Sequence, residues 1–420
     1  MKVGRSLCIF LILSLFLLWI KPEFAVGEPI GASLLIVGPG DAMYEYWGHI
    51  GVIIKDDSDA TSRFYDFGNF SFYADNFYSD FIMGRMIYLS SVTTAESFIN
   101  RTMREDRCLN LYPLNFDREE LRELDAALRW WVLPENQEYL YDYFLNNCST
   151  LIRDILDDVM RGALRASTSS VPDRTYRHHA RTGARPSFFH EVLLHFLLGE
   201  KQDEEISLWD LMFIPQVVGD TVLNFEYLGR DGATRVLADE KIVLKKSTRP
   251  PVPPEPRILW PWLLALGIAL GLLWNAAGRL PRALIILLAG IPGLILGFLM
   301  FFTDHESAYN NINILSSMPT VLLGIIPLLG SRKKGIAERE LTLSWIWTLN
   351  LAGVLTAFSL WVSGASTQNA GSFWALYGPL ALMASRPGQY LRGNFYSRLV
   401  RFRKGGSGRA KQIRSTNNGD

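Results

Sequence analysis

Cysteine and histidine are scarce in this chain of 420 residues, which has three of the first and six of the second. Three cysteines cannot build the disulfide framework of a small secreted domain, and the histidines lack the ligand spacing of a zinc site. Net charge is also missing, because 42 basic residues balance 42 acidic ones. That excludes the strongly basic footprint of a nucleic-acid binder. The balance hides an asymmetry: most acidic residues lie in the first 240 positions, and the last 35 are strongly basic. There is no internal repeat, and low complexity is confined to 248-TRPPVPPEP-256.

What the chain has in abundance is hydrocarbon, with 49% hydrophobic residues that cluster. Lys2 and Arg5 precede an apolar run from Ser6 to Ile20, with small residues Ala25 and Gly27 beyond. Residues 1–27 therefore read as a secretion signal or an uncleaved anchor, and either exports the chain from residue 28 on. After Leu259, apolar segments at roughly 259–277, 283–302, 313–330, 343–363 and 372–385 predict a membrane domain, 258–386, of about five transmembrane helices. Cations mark alternate connections: Arg279 and Arg282, then Arg332, Lys333, Lys334 and Arg339, then the tail 387–420. The connections 303–313 and 364–371 carry no Lys or Arg. Cationic loops face the cytoplasm, so the domain at 28–247 lies outside and the tail inside. Trp260, Trp262, Trp345, Trp347 and Trp374 stand near segment ends, where interfacial aromatics belong. The linker 248–257 is proline-rich, stiff and short, under about 30 Å as polyproline II, and keeps the domain near the bilayer.

Within 28–247, 33-SLLIVGPG-40, 48-GHIGVIIKD-56 and 63-RFYDFGNFSF-72 read as strands. Helices come next at 117–133, opened by Asp117, and at 149–160, capped by Ser149 or Asn147, with Leu151, Ile155 and Val159 on one face. Strands followed by helices indicate an α+β domain.

Cys148 falls at the start of the second helix, where dipole and free N–H groups favour a thiolate and can donate to an oxyanion. A nucleophilic cysteine needs a base, and His49, in 47-WGHIG-51, is the best placed of the histidines. Glycines near it would let substrate approach the ring. Asp66 on the next strand could hold that ring, completing a Cys-His-polar set. Each residue also has a plain alternative. Cys148 can be a small buried residue or the partner of Cys108 in a disulfide, His49 a structural histidine, and Asp66 a strand-turn residue. Asn146 and Asn147 are candidates for oxyanion help or simple caps, and Tyr143 is a candidate site residue of undetermined direction. The segment 174-RTYRHHAR-181 reads as a solvated basic stretch, while His190 and His195 fall on an apolar helix. In 303-TDHESAYNNINIL-315, His305, Asn311 and Asn313 are candidates to meet lipid headgroups or complete the site by positioning substrate, or are simply solvated.

Taken together, 44-YEYWGHIGVIIKD-56, 65-YDFGNFSF-72, 77-FYSDFIMGRMIY-88 and 139-YLYDYFLNNCSTLIRDILD-157 resemble the exported domain of the Lnb family of bacterial lipoprotein N-acyltransferases. The likeness continues through 203-DEEISLWDLMFIPQVV-218 and 305-HESAYNNINILSSMP-319. It implies a permuted papain-like fold, related to NlpC-type peptidases and lecithin:retinol acyltransferase, on the periplasmic side of a multi-pass inner-membrane protein. It also implies Cys148 as nucleophile and His49 as base, with Asp66 standing where the family typically has Asn. The implied activity needs no cofactor or metal. It moves an acyl chain from a membrane phospholipid donor to a lipoprotein acceptor. A membrane-tethered thiol hydrolase, acting on peptidoglycan or phospholipid, and a non-catalytic membrane assembly protein are the other classes left open.

Overall fold

The computed structural model describes residues 28–57, 62–70, 76–330 and 335–386. The signal segment, the cations at 332–334 and the basic tail lie outside the described residues. The chain forms two compact units that do not follow chain order. Of the described residues, the first takes those up to Phe77, Met86–Asp173 and Ser207–Pro251; the second takes Tyr78–Arg85, Arg174–Ile206 and those from Val252 on.

The first unit is built on β1 (Pro29–Val37), β2 (His49–Asp56), β3 (Arg63–Asn69), β4 (Ile87–Thr94), β5 (Leu109–Leu114), β6 (Glu138–Leu140) and β7 (Ile242–Lys245). They form one sheet in the order β7-β5-β1-β2-β3-β4-β6, antiparallel at every pairing. Strand alternation splits its apolar residues between two faces. Leu34, Ile36, Ile50, Val52, Ile54, Tyr65 and Phe67 join the larger core with helices α2 (Arg118–Trp131) and α3 (Cys148–Val159). Leu35, Val37, Phe64 and Leu109 meet α1 (Ala95–Thr102) through Phe98 in a smaller core. Helices segregated from an antiparallel sheet make this an α+β unit. Each Leu or Ile driven to full burial contributes about 1.5–3 kcal/mol, which is what fixes the strand register.

Helix α2 begins where its sequence says. The Asp117 carboxylate accepts from the N–H groups of Glu119 and Glu120 at 2.9 and 2.8 Å, and Glu120 Oε2 accepts the Asp117 N–H at 3.0 Å. This reciprocal cap satisfies donors that a helix start otherwise leaves free.

Among the described residues of the second unit, two helices are long and apolar enough to cross a membrane, Arg279–Phe302 and Ile336–Val362. Trp260–Ala276 and Gly371–Ala384 are apolar but shorter. The segment expected as a third continuous span is instead broken into Asn313–Ser316, a 3-10 stretch Pro319–Gly324, and Ile325–Leu329. The helical ladder breaks at Ser317 and Met318, just before Pro319, so neighbours take up its backbone groups. Asn350 Nδ2 donates to Ser316 O at 2.9 Å. A Cβ on Gly293 would lie 1.5 Å from Ser317 O, and one on Gly353 would lie 2.1 Å from Leu315 O. Trp260, Trp262 and Trp345 are exposed, whereas Trp347 is fully buried against Trp274, a core position and not the interfacial one its place in the sequence suggested.

The basic stretch at 174–181 also differs from its sequence reading. Tyr176–Gly183 is a helix that buries Arg177 and Arg181. Arg177 is paired with Asp203 at 2.8 Å and donates to the carbonyls of His195, Leu198 and Gly199.

Candidate active site

β2 enters the site from a tight turn. Gly48 has φ of +86°, and a Cβ there would meet Val37 O at 2.6 Å, so glycine is required immediately before His49. Gly51 pairs with Asp66 across β2 and β3, and its missing side chain leaves room for the Phe64 ring. These glycines therefore serve backbone and packing. Extending the same antiparallel register by two places sets Gly68 opposite His49. His49 and Asp66 then share one face of the sheet as diagonal neighbours, a separation long side chains can span.

They span it with a hydrogen bond of 2.8 Å between His49 Nε2 and Asp66 Oδ1. Asp66 is buried, and the same oxygen accepts the Gly68 N–H at 2.8 Å. Phe98 flanks the ring at a centroid distance of 6.3 Å.

Cys148 is the first residue of α3. Asn147 caps that helix, its Oδ1 accepting from Ser149 and Thr150 at 2.8 and 3.0 Å. Its Nδ2 donates to the carbonyls of Tyr143 and Phe213 at 3.0 and 3.1 Å. Ser149 Oγ donates to Met212 O at 2.7 Å. The cysteine turn is thus tied to two other segments, while Ile152, Ile155, Leu156 and Val159 seat the helix in the core.

Cys148 is near enough to His49 for its charge to act on the ring. Burial disfavours charge on the His49 ring, but the Asp66 carboxylate, and then Cys148, outweigh it and raise the pKa to about 10. Burial pushes the Asp66 carboxyl up; the His49 charge, with the bonds from His49 and Gly68, more than reverses this and holds it below the usual carboxylate range. The raised pKa favours the charged form of the ring.

The structure brings His49, Asp66 and Cys148 together. It shows Asn147 as the helix cap and turns the Asn146 side chain to the Leu140 carbonyl at 2.7 Å. Tyr143 is partly exposed, its hydroxyl 3.9 Å from Met86 Sδ. Cys108 and Cys148 are both free thiols. His305, Asn311 and Asn313 belong to the second unit. Asn311 Nδ2 reaches the carbonyls of Phe196, Leu197 and Leu198, Asn313 Nδ2 reaches that of Phe196, and His305 Nε2 lies 3.0 Å from Phe81 O. Both asparagines are buried and hold the end of the Phe188–Leu197 helix.

Sequence reading missed Gly68 and the tyrosines Tyr88, Tyr139 and Tyr141. Burial first, and the Cys148 charge among the further causes, pushes all three phenols above their ordinary pKa. The run 139-YLYDYF-144, with rings on alternate positions, was the available signal. Among the described residues no cluster of His, Cys, Asp and Glu is arranged to hold a metal ion.

A membrane protein with an α+β domain carrying a Cys-His-Asp set is the class these features define. Two family models match the chain, the Lnb N-terminal periplasmic domain over residues 28–182 and the Lnb transmembrane domain over residues 255–371. The chain belongs to the Lnb family, with a periplasmic domain and a transmembrane domain. No curated protein and no solved structure matches it.

Proposed function

We propose that the protein is a lipoprotein N-acyltransferase of the bacterial inner membrane, with Cys148 as nucleophile, His49 as acid and base, and Asp66 orienting and charging the ring. The observation that carries this reading is the His49–Asp66 bond of 2.8 Å beside a cysteine on the first turn of a helix. The finer architecture belongs to the same proposal: a permuted papain-like domain and a membrane domain that crosses five times.

In the first half-reaction the Cys148 thiolate attacks an ester carbonyl of a phospholipid. The oxyanion is stabilised at the helix start, where Asn147 already occupies the Ser149 and Thr150 N–H groups and leaves that of Cys148. Collapse breaks the C–O bond, and the His49 imidazolium protonates the departing glycerol oxygen. A thioester on Cys148 and a lysophospholipid result. In the second half-reaction the α-amine of a lipoprotein's diacylglyceryl-cysteine attacks the thioester. Neutral His49 takes the amine proton as the thiolate leaves, restoring the imidazolium. This is ping-pong covalent catalysis. Both substrates are membrane lipids, which accounts for a transmembrane domain on an enzyme of this chemistry.

The test is intact mass spectrometry of a model lipoprotein co-expressed with the parent or with Cys148→Ser, in cells lacking their own N-acylation. One acyl chain on the α-amine with the parent, and none with the variant, is expected. No added acyl mass with well-expressed parent overturns the assignment in favour of a thiol hydrolase or a non-catalytic assembly protein. Equal acylation by both proteins removes Cys148 as nucleophile.

A further inference from the structure

In the second unit, the helix Phe188–Leu197 is inside out for a surface in water. Its exposed side chains are Phe188, Phe189 and Leu193, at 50, 68 and 36%. Its fully buried ones are Glu191 and His195. A surface helix of a water-soluble fold does the reverse, with charge outward and hydrocarbon toward the core. The buried carboxylate is well matched. Glu191 accepts the backbone N–H of Arg257 and its guanidinium, each at 2.6 Å, and the guanidinium of Arg181 at 3.2 Å. The buried side of the helix rests on the membrane helices of its own unit. Phe196 meets Phe373 edge-on at 5.0 Å and shares a core with Leu259 and Leu263, and the His195 ring lies 5.1 Å from that of Phe373.

Polar inward and apolar outward is the arrangement that lipid selects, because polar groups then find partners only inside the protein. Continuity says what covers the exposed side. The Phe188 ring lies 6.0 Å from the Arg257 guanidinium. Just beyond in the chain, Ile258, Trp260 and Trp262 are exposed as well, and they open the matched transmembrane domain. The apolar edge of the helix thus runs into a surface that lipid already covers. We propose that Phe188–Leu197, which falls outside both matched family domains, is an interfacial helix whose Phe188, Phe189 and Leu193 edge is embedded in the bilayer. It enters the periplasmic leaflet, since the first membrane helix starts where the chain arrives from the periplasmic domain. Helices of this kind sink their apolar face about 5–10 Å into the boundary between headgroups and acyl chains. The inference does not depend on acyl transfer or on Cys148.

The experiment places a nitroxide on single cysteines of the full-length protein in nanodiscs, with the native cysteines replaced by serine. It compares collision with oxygen, which concentrates in hydrocarbon, against collision with a water-soluble nickel chelate. Phe189→Cys and Leu193→Cys are at exposed positions and leave the core intact. Leu266→Cys, exposed near the middle of Trp260–Ala276, serves as the lipid reference, and Ala365→Cys, exposed in the connection 364–371, as the water reference. The oxygen-to-nickel ratio at 189 and 193 is expected to shift from the Ala365 value toward the Leu266 value. A ratio equal to that of Ala365 at both positions overturns the proposal. Low access of both reagents overturns it equally, because protein then covers the edge; mutual broadening of the labels would identify that protein as a second copy of the chain. The unmodified protein supplies the arm that no folding failure can confound. A phospholipid with a diazirine near the start of its acyl chain should leave adducts on Phe188, Phe189 and Leu193, read by peptide mass mapping. Adducts confined to the membrane-spanning helices would reject the interfacial helix.

Discussion

Gly68 and His49 occupy facing positions on β3 and β2, and a Cβ on Gly68 would lie 2.5 Å from His49 Cε1. The glycine is the space in which the imidazole sits. Its N–H, donated to Asp66, also fixes the carboxylate that holds the ring.

Gly68→Ala is therefore expected to push the ring off the Asp66 bond without unfolding the sheet. A displacement of about 1 Å at a reacting group can cost about 10²-fold in rate, so kcat should fall by about that factor. The apparent unfolding temperature should change little. Circular dichroism and single-turnover acylation of Cys148 check both halves, and a fully active alanine variant would contradict the packing of ring against glycine.

Asp66→Asn keeps an oxygen for the His49 bond but removes the charge that outweighs burial of the ring. The His49 pKa should fall from about 10, moving the alkaline limb of the activity profile, where the imidazolium acid is lost, to lower pH. Activity near pH 7 should drop by about tenfold, short of the 10²–10⁴ that acid–base catalysis contributes as a whole. The stability linkage has a definite sign. A raised histidine pKa stabilises the fold fully below its unfolded value of about 6.5, and that contribution fades as pH rises through about 10. For Asp66, with its pKa lowered, the contribution is present above the ordinary carboxylate range and is lost as pH falls through the depressed value. Unfolding profiles of parent and variant from pH 4 to 11 should differ at pH 4, above the depressed Asp66 value, and converge toward pH 11.

Asn147 has two functions that separate by substitution. Asn147→Asp retains the acceptor for Ser149 and Thr150 but turns an oxygen toward the carbonyls of Tyr143 and Phe213, which now lack a donor. Asn147→Ala loses both. The alanine variant should cost about 1–3 kcal/mol, and the aspartate should be destabilised as well despite its good capping propensity. Chemical denaturation distinguishes them from a capping-only role, in which aspartate would match the parent.

In the second unit, Gly353→Ala would drive a Cβ into the Leu315 carbonyl, whereas a Cβ on Gly297 meets nothing closer than Ile314 Cδ1 at 3.5 Å. Gly353→Ala should cost about 1–3 kcal/mol as overpacking and Gly297→Ala almost nothing. Thermal aggregation in detergent ranks the pair.

Local signals were the legible ones. Asp117 and Asn147 cap within three residues of themselves, so their sequence neighbourhood contains the cap, though not the bond from Asn147 to the Phe213 carbonyl. The strand pattern around His49 and Asp66 and the helix after Cys148 were visible for the same reason. Register was harder: that Gly68 faces His49 needs the pairing of Gly51 with Asp66. β5 was hidden by Pro113 in 109-LNLYPL-114, a residue that usually argues against a strand. Arg177 looked solvated because its partner, Asp203, is 26 residues away. Hydropathy read 313–330 as a span because it weighs side chains and is blind to how backbone groups are satisfied. Its break before Pro319 shows only when that accounting is done.

The interrupted stretch from Asn313 to Leu329 has a consequence for biogenesis. A continuous apolar helix can enter the bilayer alone, since it satisfies its own backbone. This stretch cannot, because Ser316 O depends on Asn350 and the Leu315 and Ser317 carbonyls lie against glycines of the two flanking helices. Its insertion must wait for Ile336–Val362 to be synthesised. The membrane unit therefore assembles as a late closure around its middle and not as a string of independent insertions.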